Sequence, residues 1–210
     1  MKPYYQEKGI TIYHGDCREI LPTLEPVDLV VTDPPYNVGM DYCEGDERVD
    51  YVRWSQEWFQ LAPRPLILTP GMVNLALWFG LAKPTHVCAW FKPNQCSPSA
   101  LGGFNVWEPI LVYGKLSKRV GQDAWSHPIA TQPGLGEHPC PKSLSFWKTL
   151  MLAVSTEGQI ILDPFLGTGT TTDAAKQLGR RAIGIEIEER YCEITANRLR
   201  QEVLNFEASA

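Results

Sequence analysis

The feature that most constrains the fold of this chain is an apolar run that stops at two consecutive prolines. The segment Val27–Thr32 is rich in Val and Leu and leads directly into Asp33-Pro34-Pro35-Tyr36. A short apolar run of this kind is typical of a parallel strand that is covered on both faces. Each proline fixes its own φ and pushes the preceding residue towards extended geometry. The sequence therefore predicts a buried strand that ends in a stiff corner.

Strand and helix patterns alternate along the rest of the chain, which predicts an α/β, doubly wound, Rossmann-like domain with a mostly parallel sheet. At 210 residues the chain is expected to form one domain, residues 1–210. The segment Gly114–Glu137 lacks periodicity and is predicted to be a loop. Further elements are predicted as strands over Ile10–Tyr13, Pro65–Thr69, His86–Phe91, Asn105–Tyr113, Gln159–Leu162 and Arg181–Ile187, and as helices over Cys17–Leu24, Met72–Leu81 and Lys142–Val154.

The Asp33–Tyr36 corner offers hydrogen-bond acceptors and few donors. The two prolines have carbonyls but no N–H, Asp33 adds a carboxylate, and Tyr36 adds a flat ring. Acceptors beside an aromatic ring suit a planar ligand that carries an NH2 group, such as adenine or cytosine. A rigid strand-to-loop turn with a buried tyrosine would use the same residues, so the corner alone leaves both interpretations open.

A second motif combines a strand, a glycine-rich turn and the start of a helix, over Asp163–Thr170. Its glycines allow a sharp turn and a close approach of the backbone to a ligand. Thr172 stands where a dinucleotide fingerprint has its third glycine, and a Walker loop is absent. Glu186, at the end of the next strand, occupies the place of the acid that binds ribose hydroxyls in Rossmann-type sheets. This unit predicts a nucleoside-containing cofactor, with a purely structural βαβ unit as the alternative.

Both motifs follow strands, and open α/β sheets bind ligands at the carboxyl ends of their strands. If the two strands lie close together in the sheet, the nucleoside-containing cofactor and the ligand with the NH2 group meet in one crevice. This joint requirement is the specific part of the prediction.

Composition narrows the function classes. The net charge of −5 argues weakly against strong non-specific binding of nucleic acid. The local basic group Lys115, Lys118 and Arg119 is compatible with a phosphate contact or with a solvated turn. No apolar run approaches the ~20 residues of a membrane span and the start is not a signal peptide, so we expect no membrane partner and a cytoplasmic location. The six cysteines form no C-x-x-C pair, and no metal site is predicted.

Together, these motifs resemble the exocyclic-amine DNA methyltransferases that use S-adenosylmethionine, in the permuted arrangement called the β class. The family's Asp-Pro-Pro-Tyr precedes the cofactor loop in that class, as it does here. The resemblance implies a Rossmann-like methyltransferase fold with an antiparallel strand and a circularly permuted motif order. It rests on Asp33–Tyr36 and Asp163–Thr170, with support from Gly15-Asp16, Trp90–Pro93, Glu108–Tyr113, His138–Lys142 and Gly184–Tyr191.

The resemblance also implies roles for individual residues. Asp33 and the Pro34 carbonyl would accept the two N–H hydrogens of the target amine, and Pro35 and Tyr36 complete the catalytic motif. Tyr36 and Asn37 would contact the flipped-out nucleotide. The residues implied to bind S-adenosylmethionine are Asp16, Lys142, Asp163, Pro164, Phe165, Gly167, Thr168, Gly169, Thr170, Glu186 and Ile187.

The implied reaction is methyl transfer to the N6 amine of adenine in DNA, as in restriction–modification systems. An Asp at position 33 leans towards adenine within this family. Methylation of cytosine N4, or of an amide nitrogen on protein or RNA, is the first alternative. A non-catalytic Rossmann-type regulator that senses NAD or a nucleoside is the second.

The segment Gly114–Glu137 is far shorter than the target-recognition region that is usual in this family. The resemblance therefore supports the reaction better than any particular recognition sequence. A reader of short sites, a homodimer that shares DNA contacts, and a helper protein all stay open.

Overall fold

The structure, a computed structural model, describes residues 2–39, 50–95, 97–99, 101–129 and 142–200. Within them, the strands are β1 (Tyr5–Glu7), β2 (Ile10–His14), β3 (Leu29–Thr32), β4 (Leu66–Leu68), β5 (His86–Phe91), β6 (Ser97–Pro98), β7 (Phe104–Asn105), β8 (Trp107–Tyr113), β9 (Ala124–Ser126), β10 (Ile160–Asp163) and β11 (Arg181–Glu186). The helices are α1 (Cys17–Ile20), α2 (Tyr51–Leu61), α3 (Leu75–Leu81), α4 (Leu144–Val154), α5 (Thr170–Gln177) and α6 (Glu189–Arg200).

One nine-stranded sheet forms the centre, in the order β1-β2-β11-β10-β3-β4-β8-β5-β9, and β6 pairs with β7 in a separate hairpin. Strands β1 and β8 run antiparallel to their neighbours, whereas the remaining pairs in the sheet are parallel. The predicted fold class, a doubly wound and mostly parallel sheet with an antiparallel strand, is confirmed.

Alternate side chains of β3 face different helical layers. Leu29 and Val31 pack in one core cluster with residues of α4, α5 and α6. Val30 packs in a second cluster with residues of α1, α2 and α3. The three side chains are at most 2% exposed, so the strand is covered on both faces, as its continuous apolar run predicts.

Several element boundaries differ from the sequence predictions. Helix α3 begins at Leu75 instead of Met72, and β8 begins at Trp107 instead of Asn105. Helix α4 begins at Leu144 instead of Lys142 because Ser143 caps it, its Oγ accepting from the Phe146 N–H at 3.5 Å. The segment predicted as a loop contains the short strand β9, which pairs with β5; its residues 130–137 lie outside the described part.

The topology brings several chain segments to one edge of the sheet. Strands β2, β3, β10 and β11 all end there, at or just before Asp16, Asp33, Asp163 and Glu186. Strand β8 is reversed, so its amino-terminal end with Glu108 reaches the same edge. None of the helices in the described ranges combines the length and apolar character that a bilayer crossing requires.

Candidate active site

A cavity of about 220 Å³ lies at this edge, next to the adjacent strands β3 and β10. Asp33 and Gly167 both line it, so the two motifs meet in one crevice, as the joint requirement demands. Of the residues implied to bind cofactor or amine, those that line the cavity are Asp16, Asp33, Pro34, Pro35, Tyr36, Lys142, Asp163, Pro164, Phe165, Gly167, Thr168, Thr170, Glu186 and Ile187; Gly169 and Asn37 are not among them.

The carboxylate of Asp33 is held through one of its two oxygens. Oδ1 accepts from the Tyr36 hydroxyl at 2.7 Å, from the Thr69 hydroxyl, and from Lys142 Nζ at 3.1 Å. No donor in the described part of the chain reaches Oδ2. Burial raises the pKa of Asp33, and Lys142 only partly offsets this. Asp33 thus presents an acceptor oxygen next to the cofactor loop.

Two backbone carbonyls of the corner accept hydrogen bonds from the protein, and a third is left to the cavity. Tyr51 Oη donates to the Pro35 carbonyl at 2.6 Å, and Asn74 Nδ2 donates to the Tyr36 carbonyl at 2.8 Å. Among the described residues no donor reaches the Pro34 carbonyl. Tyr51 of α2 and Asn74, the residue before α3, therefore fix the corner through two carbonyls and leave the third as an acceptor.

The Tyr36 side chain is fixed at both its ring and its hydroxyl. The hydroxyl lies 2.7 Å from Asp33 Oδ1 and 2.7 Å from Glu108 Oε1, so its single proton serves one carboxylate at a time. Burial, followed by the charges of these carboxylates, raises the pKa of Tyr36, which keeps the phenol neutral. The ring packs directly against Gly71, where an added Cβ would lie 3.1 Å from it.

The glycine-rich loop is held by two buried carboxylates. Asp163 accepts from the hydroxyls of Thr32 at 2.7 Å and Thr171 at 2.5 Å. Glu186 Oε2 accepts from the Gly167 N–H at 2.7 Å, and its Oε1 accepts from the Glu188 N–H at 2.9 Å.

Burial sets the charge behaviour of both groups. It raises the pKa of Asp163 to about 6, with its hydrogen bonds opposing the shift. It also raises the pKa of Glu186. Since each carboxylate already braces the loop, ligand contacts would use their remaining lone pairs.

Gly169 does not line the cavity and packs tightly against Thr195. Its φ of +84° lies in the left-handed region, and an added Cβ would lie 2.4 Å from Thr195 Cγ2. Thr172, in place of the third glycine of a dinucleotide fingerprint, is fully buried and donates through Oγ1 to the Gly169 carbonyl at 3.0 Å. The close packing at Gly169 therefore has a structural reason that is separate from ligand contact.

Comparison with known proteins identifies the family. The family model for N6/N4 methyltransferases, described as DNA methylase, matches residues 27–197, which is most of the chain. The chain belongs to the DNA methylase family. The resemblance inferred from the sequence motifs is thereby confirmed.

Individual relatives of this DNA methyltransferase agree with that assignment. It is 28% identical over 259 residues to the Type II methyltransferase M.ScaI of Streptomyces caespitosus, covering 96% of this chain and 84% of that protein. It is 28% identical over 250 residues to the Type II methyltransferase M2.DpnII of Streptococcus pneumoniae, covering 96% and 93%. The crystal structure of the M1.HpyAVI–SAM complex superimposes with a TM-score of 0.67 and 26% identity, covering 91% of this chain and all of that one.

In this DNA methyltransferase, two implied cofactor residues have other partners. Lys142 Nζ lies 2.8 Å from Tyr36 Oη and 3.1 Å from Asp33 Oδ1, within the amine side of the cavity. Burial alone would lower the pKa of Lys142, but Asp33 and Glu108 outweigh it and raise the pKa. Asp16 caps α1, and its carboxylate is paired with Arg18 at 2.7 Å. Their contacts with cofactor stay predictions.

Three residues without a predicted role, Glu108, Lys92 and Thr69, surround the Asp33–Tyr36 corner. Glu108 is 5% exposed and Lys92 is 8% exposed. One signal was present: Glu108 begins the most apolar stretch of β8, and Lys92 directly follows β5. Charged residues at the ends of buried strands at this edge are candidates for the site.

The basic group predicted to contact DNA lies elsewhere. Lys115, Lys118 and Arg119 follow the carboxyl end of the reversed strand β8, at the opposite edge of the sheet from the cavity. Lys118 Nζ donates to the Ser155 carbonyl at 3.4 Å, at the end of α4. Because the structure does not bring these residues to the cavity, a DNA contact by them stays a prediction and is not part of the site. Asn37 follows the corner with a φ of +56°.

Proposed function

We propose that this chain transfers a methyl group from S-adenosylmethionine to the exocyclic N6 amine of adenine in DNA, after flipping the base out of the duplex. The observation that carries the proposal is a pair of acceptors, Asp33 Oδ2 and the Pro34 carbonyl, that no donor among the described residues reaches and that line the same cavity as the glycine loop. An NH2 group has two hydrogens, and this corner offers one acceptor for each.

The cavity fits S-adenosylmethionine by the chemistry of its lining. Glu186 stands at the end of β11, where an acid can accept from ribose hydroxyls, and Phe165 and Ile187 supply apolar surface. The bound cofactor supplies an electrophilic methyl group on a sulfonium. Gly167 allows close backbone approach at its φ of +52°. The residues present therefore suit the cofactor of this family.

The residues of the corner then act on the amine. The lone pair of an exocyclic nitrogen is delocalised into the ring, which makes it a poor nucleophile. The amine would donate two hydrogen bonds, one to the Asp33 carboxylate and one to the Pro34 carbonyl. These bonds favour a pyramidal nitrogen and orient its lone pair. As positive charge grows on nitrogen, the Asp33 carboxylate stabilises it; fixed electrostatic groups of this kind are worth roughly 3–4 kcal/mol. Orientation of the reacting groups contributes at least as much.

The position of the cavity supports base flipping. Asp33 is half-buried at the strand edge, where it lines the cavity, beyond the reach of a base that is stacked in a duplex. Extrusion of a nucleotide costs a few kcal/mol. Stacking on an aromatic ring returns about 1–3 kcal/mol, and Tyr36 is the ring at the corner. A fluorescent adenine analogue at the target position should brighten on binding of the chain, and an unchanged signal would count against flipping.

Radiolabelled methyl transfer tests the proposal directly. Purified protein, labelled S-adenosylmethionine and DNA of mixed sequence are incubated, and the product is digested to nucleosides. We expect label in N6-methyl-2′-deoxyadenosine, with the Asp33→Ala variant as the inactive control. Label in N4-methylcytosine would replace the adenine assignment by the cytosine alternative. No incorporation, or tighter calorimetric binding of NAD than of S-adenosylmethionine, would refute the proposal as a whole.

We also propose that the protein acts on DNA as a homodimer. The short segment 114–137 supports this, because a second copy would supply DNA contacts that a larger recognition region provides elsewhere. Sedimentation with and without DNA should show a dimer on the duplex; a monomer that methylates DNA at full rate would contradict it.

A further inference from the structure

A continuous row of buried and half-buried charges extends behind the Asp33–Tyr36 corner. Lys142 Nζ lies 3.1 Å from Asp33 Oδ1 on one side and 3.1 Å from Glu108 Oε1 on the other. Lys92 Nζ in turn donates to Glu108 Oε2. The side chains of the row are 24% exposed at Asp33, 16% at Lys142, 6% at Glu108 and 10% at Lys92. Each charge except those at the ends therefore lies between two of opposite sign.

The two members of this row that lie farther from the cavity, Glu108 and Lys92, do not reach the reacting groups. Asp33, Tyr36 and Lys142 line the cavity, whereas Glu108 and Lys92 are not among its lining residues. Their effect on the reaction must pass through the residues in front of them. Glu108 is well placed for this, since its Oε1 accepts from Tyr36 Oη at 2.7 Å and from Lys142 Nζ at 3.1 Å.

Glu108 and Asp33 thus compete for the same two donors. Tyr36 and Lys142 both reach Asp33 Oδ1, and both also reach Glu108 Oε1. Without the Glu108 charge, the ammonium and the hydroxyl would turn fully to Asp33, where Oδ2 offers them a further acceptor. The target amine would then have to displace a buried ammonium from that oxygen.

Charge balance explains why Lys92 accompanies Glu108. Two carboxylates and two ammonium groups give the row no net charge. A lone additional carboxylate beside Asp33 would disfavour ionisation of both, because like charges at short range in a buried site repel strongly. Lys92 neutralises Glu108 from the side away from the cavity and prevents this.

We propose that Glu108 is a positioning residue that shares Lys142 and Tyr36 with Asp33 and so keeps Asp33 Oδ2 available to the amine, while Lys92 neutralises Glu108. The inference rests on the proposed function, since it gives Asp33 the role of amine acceptor.

The directions of the pKa shifts of Glu108 and Asp33 agree with this geometry. Burial alone would raise the pKa of Glu108, but Lys142 and Lys92 outweigh it and lower the pKa to about 2. The pKa of Asp33 is raised by burial first, then lowered by Lys142 and raised by Glu108. The charged or titratable groups that act on Asp33 are Lys142, Glu108, Tyr36, Lys92 and Asp163.

Two variants that break the same salt bridge separate this role from a structural one. Glu108→Gln removes a negative charge near Asp33, so the acid limb of the rate profile, which reports ionisation of Asp33, should move to lower pH. Lys92→Met leaves Glu108 unneutralised, so the acid limb should move to higher pH. Each shift should be about one pH unit. In the double variant E108Q/K92M the two changes oppose each other, and the limb should return close to that of the wild type.

The measurement is the single-turnover rate of methyl transfer to DNA with S-adenosylmethionine bound beforehand. It runs from about pH 4.5, near the ordinary pKa of a carboxyl group, to about pH 9. The plateau rate of E108Q should fall roughly tenfold to a hundredfold, because the amine loses its acceptor geometry. Calorimetric affinity for S-adenosylmethionine should stay at the wild-type value in every variant, which also shows that each one folds.

A merely structural salt bridge would give the two single variants the same effect. The inference would therefore be overturned if the acid limb moved in the same direction in both single variants, or if it did not move and the plateau rates stayed at the wild-type value. Loss of cofactor binding in the charge-balanced double variant would also overturn it. If the wild-type protein itself transfers no methyl group to DNA, the proposed function fails and the inference falls with it. Active wild type with unshifted variants removes the inference alone.

Discussion

The tight packing at Gly169 makes a quantitative prediction for Gly169→Ala. An alanine at φ +84° costs about 1–2 kcal/mol from the backbone alone. Its Cβ would also lie 2.4 Å from Thr195 Cγ2, whereas carbon atoms pack at about 3.5–4.0 Å, so the two must separate by roughly 1 Å. Thr195 Oγ1 donates to the Gly167 carbonyl at 3.0 Å, and the separation strains this hydrogen bond.

The consequence reaches the cofactor through Gly167, which lines the cavity. A strained or broken hydrogen bond costs about 0.5–1.5 kcal/mol, and about 1.4 kcal/mol corresponds to a tenfold change in affinity. Calorimetry should therefore show that the Kd for S-adenosylmethionine rises by roughly twofold to tenfold in Gly169→Ala. Removal of the obstructing side chain in G169A/T195A should recover part of the affinity.

A matched control exists at Gly158. Its φ of +79° nearly equals that of Gly169, but an added Cβ there would meet nothing within 4 Å. Gly158→Ala should therefore lose about 1–2 kcal/mol of stability with an unchanged Kd for the cofactor. Equal cofactor affinities of Gly169→Ala and Gly158→Ala would refute the reasoning from packing.

Three further predictions concern the carboxylates and the lysine of the site. Asp33→Ala should bind S-adenosylmethionine normally but lose at least ~100-fold in methyl transfer, and near-normal turnover would refute its role. Lys142→Met should lower the rate of methyl transfer more than cofactor affinity; the reverse split, measured by calorimetry and single turnover, would favour a cofactor contact. Because the pKa of Asp163 is raised to about 6, the folded state binds this proton more tightly than the unfolded state. Stability should therefore fall by up to ~3 kcal/mol as pH rises from about 4 through about 6. Asp163→Asn should lack this decline in urea unfolding, and parallel curves for both proteins would contradict the shift.

The sequence predicted the central strands well because their apolar runs are local signals. Strands β3, β10 and β11 are largely apolar segments that end in distinctive motifs. Because open α/β sheets bind ligands at the carboxyl ends of their strands, those motifs were predicted to share one crevice if their strands lie close together. Strand β9 was missed because it has three residues and is held by pairing with β5, a contact that no local pattern reports.

The site was predictable where a residue belongs to a motif and unpredictable where it depends on pairing across the sheet. Asp33, Gly167 and Glu186 were found from strand ends and glycine spacing. Glu108 was not, because its approach to Tyr36 depends on the reversed direction of β8 and on its register with β5, where Glu108 lies opposite Trp90. The basic group at Lys115 was placed by composition alone, and composition holds no information on which edge of a sheet a loop occupies.

The reversed strand β8 has a consequence for how this enzyme tolerates change. Side chains alternate along a strand, so a slip of one residue against β4 and β5 would turn Glu108 to the opposite helical layer. Lys92 would then lose its carboxylate, and Lys142 would keep Asp33 alone. Misalignment of β8 would therefore appear first as a lower rate of methyl transfer, while the fold and the cofactor loop stay otherwise unchanged.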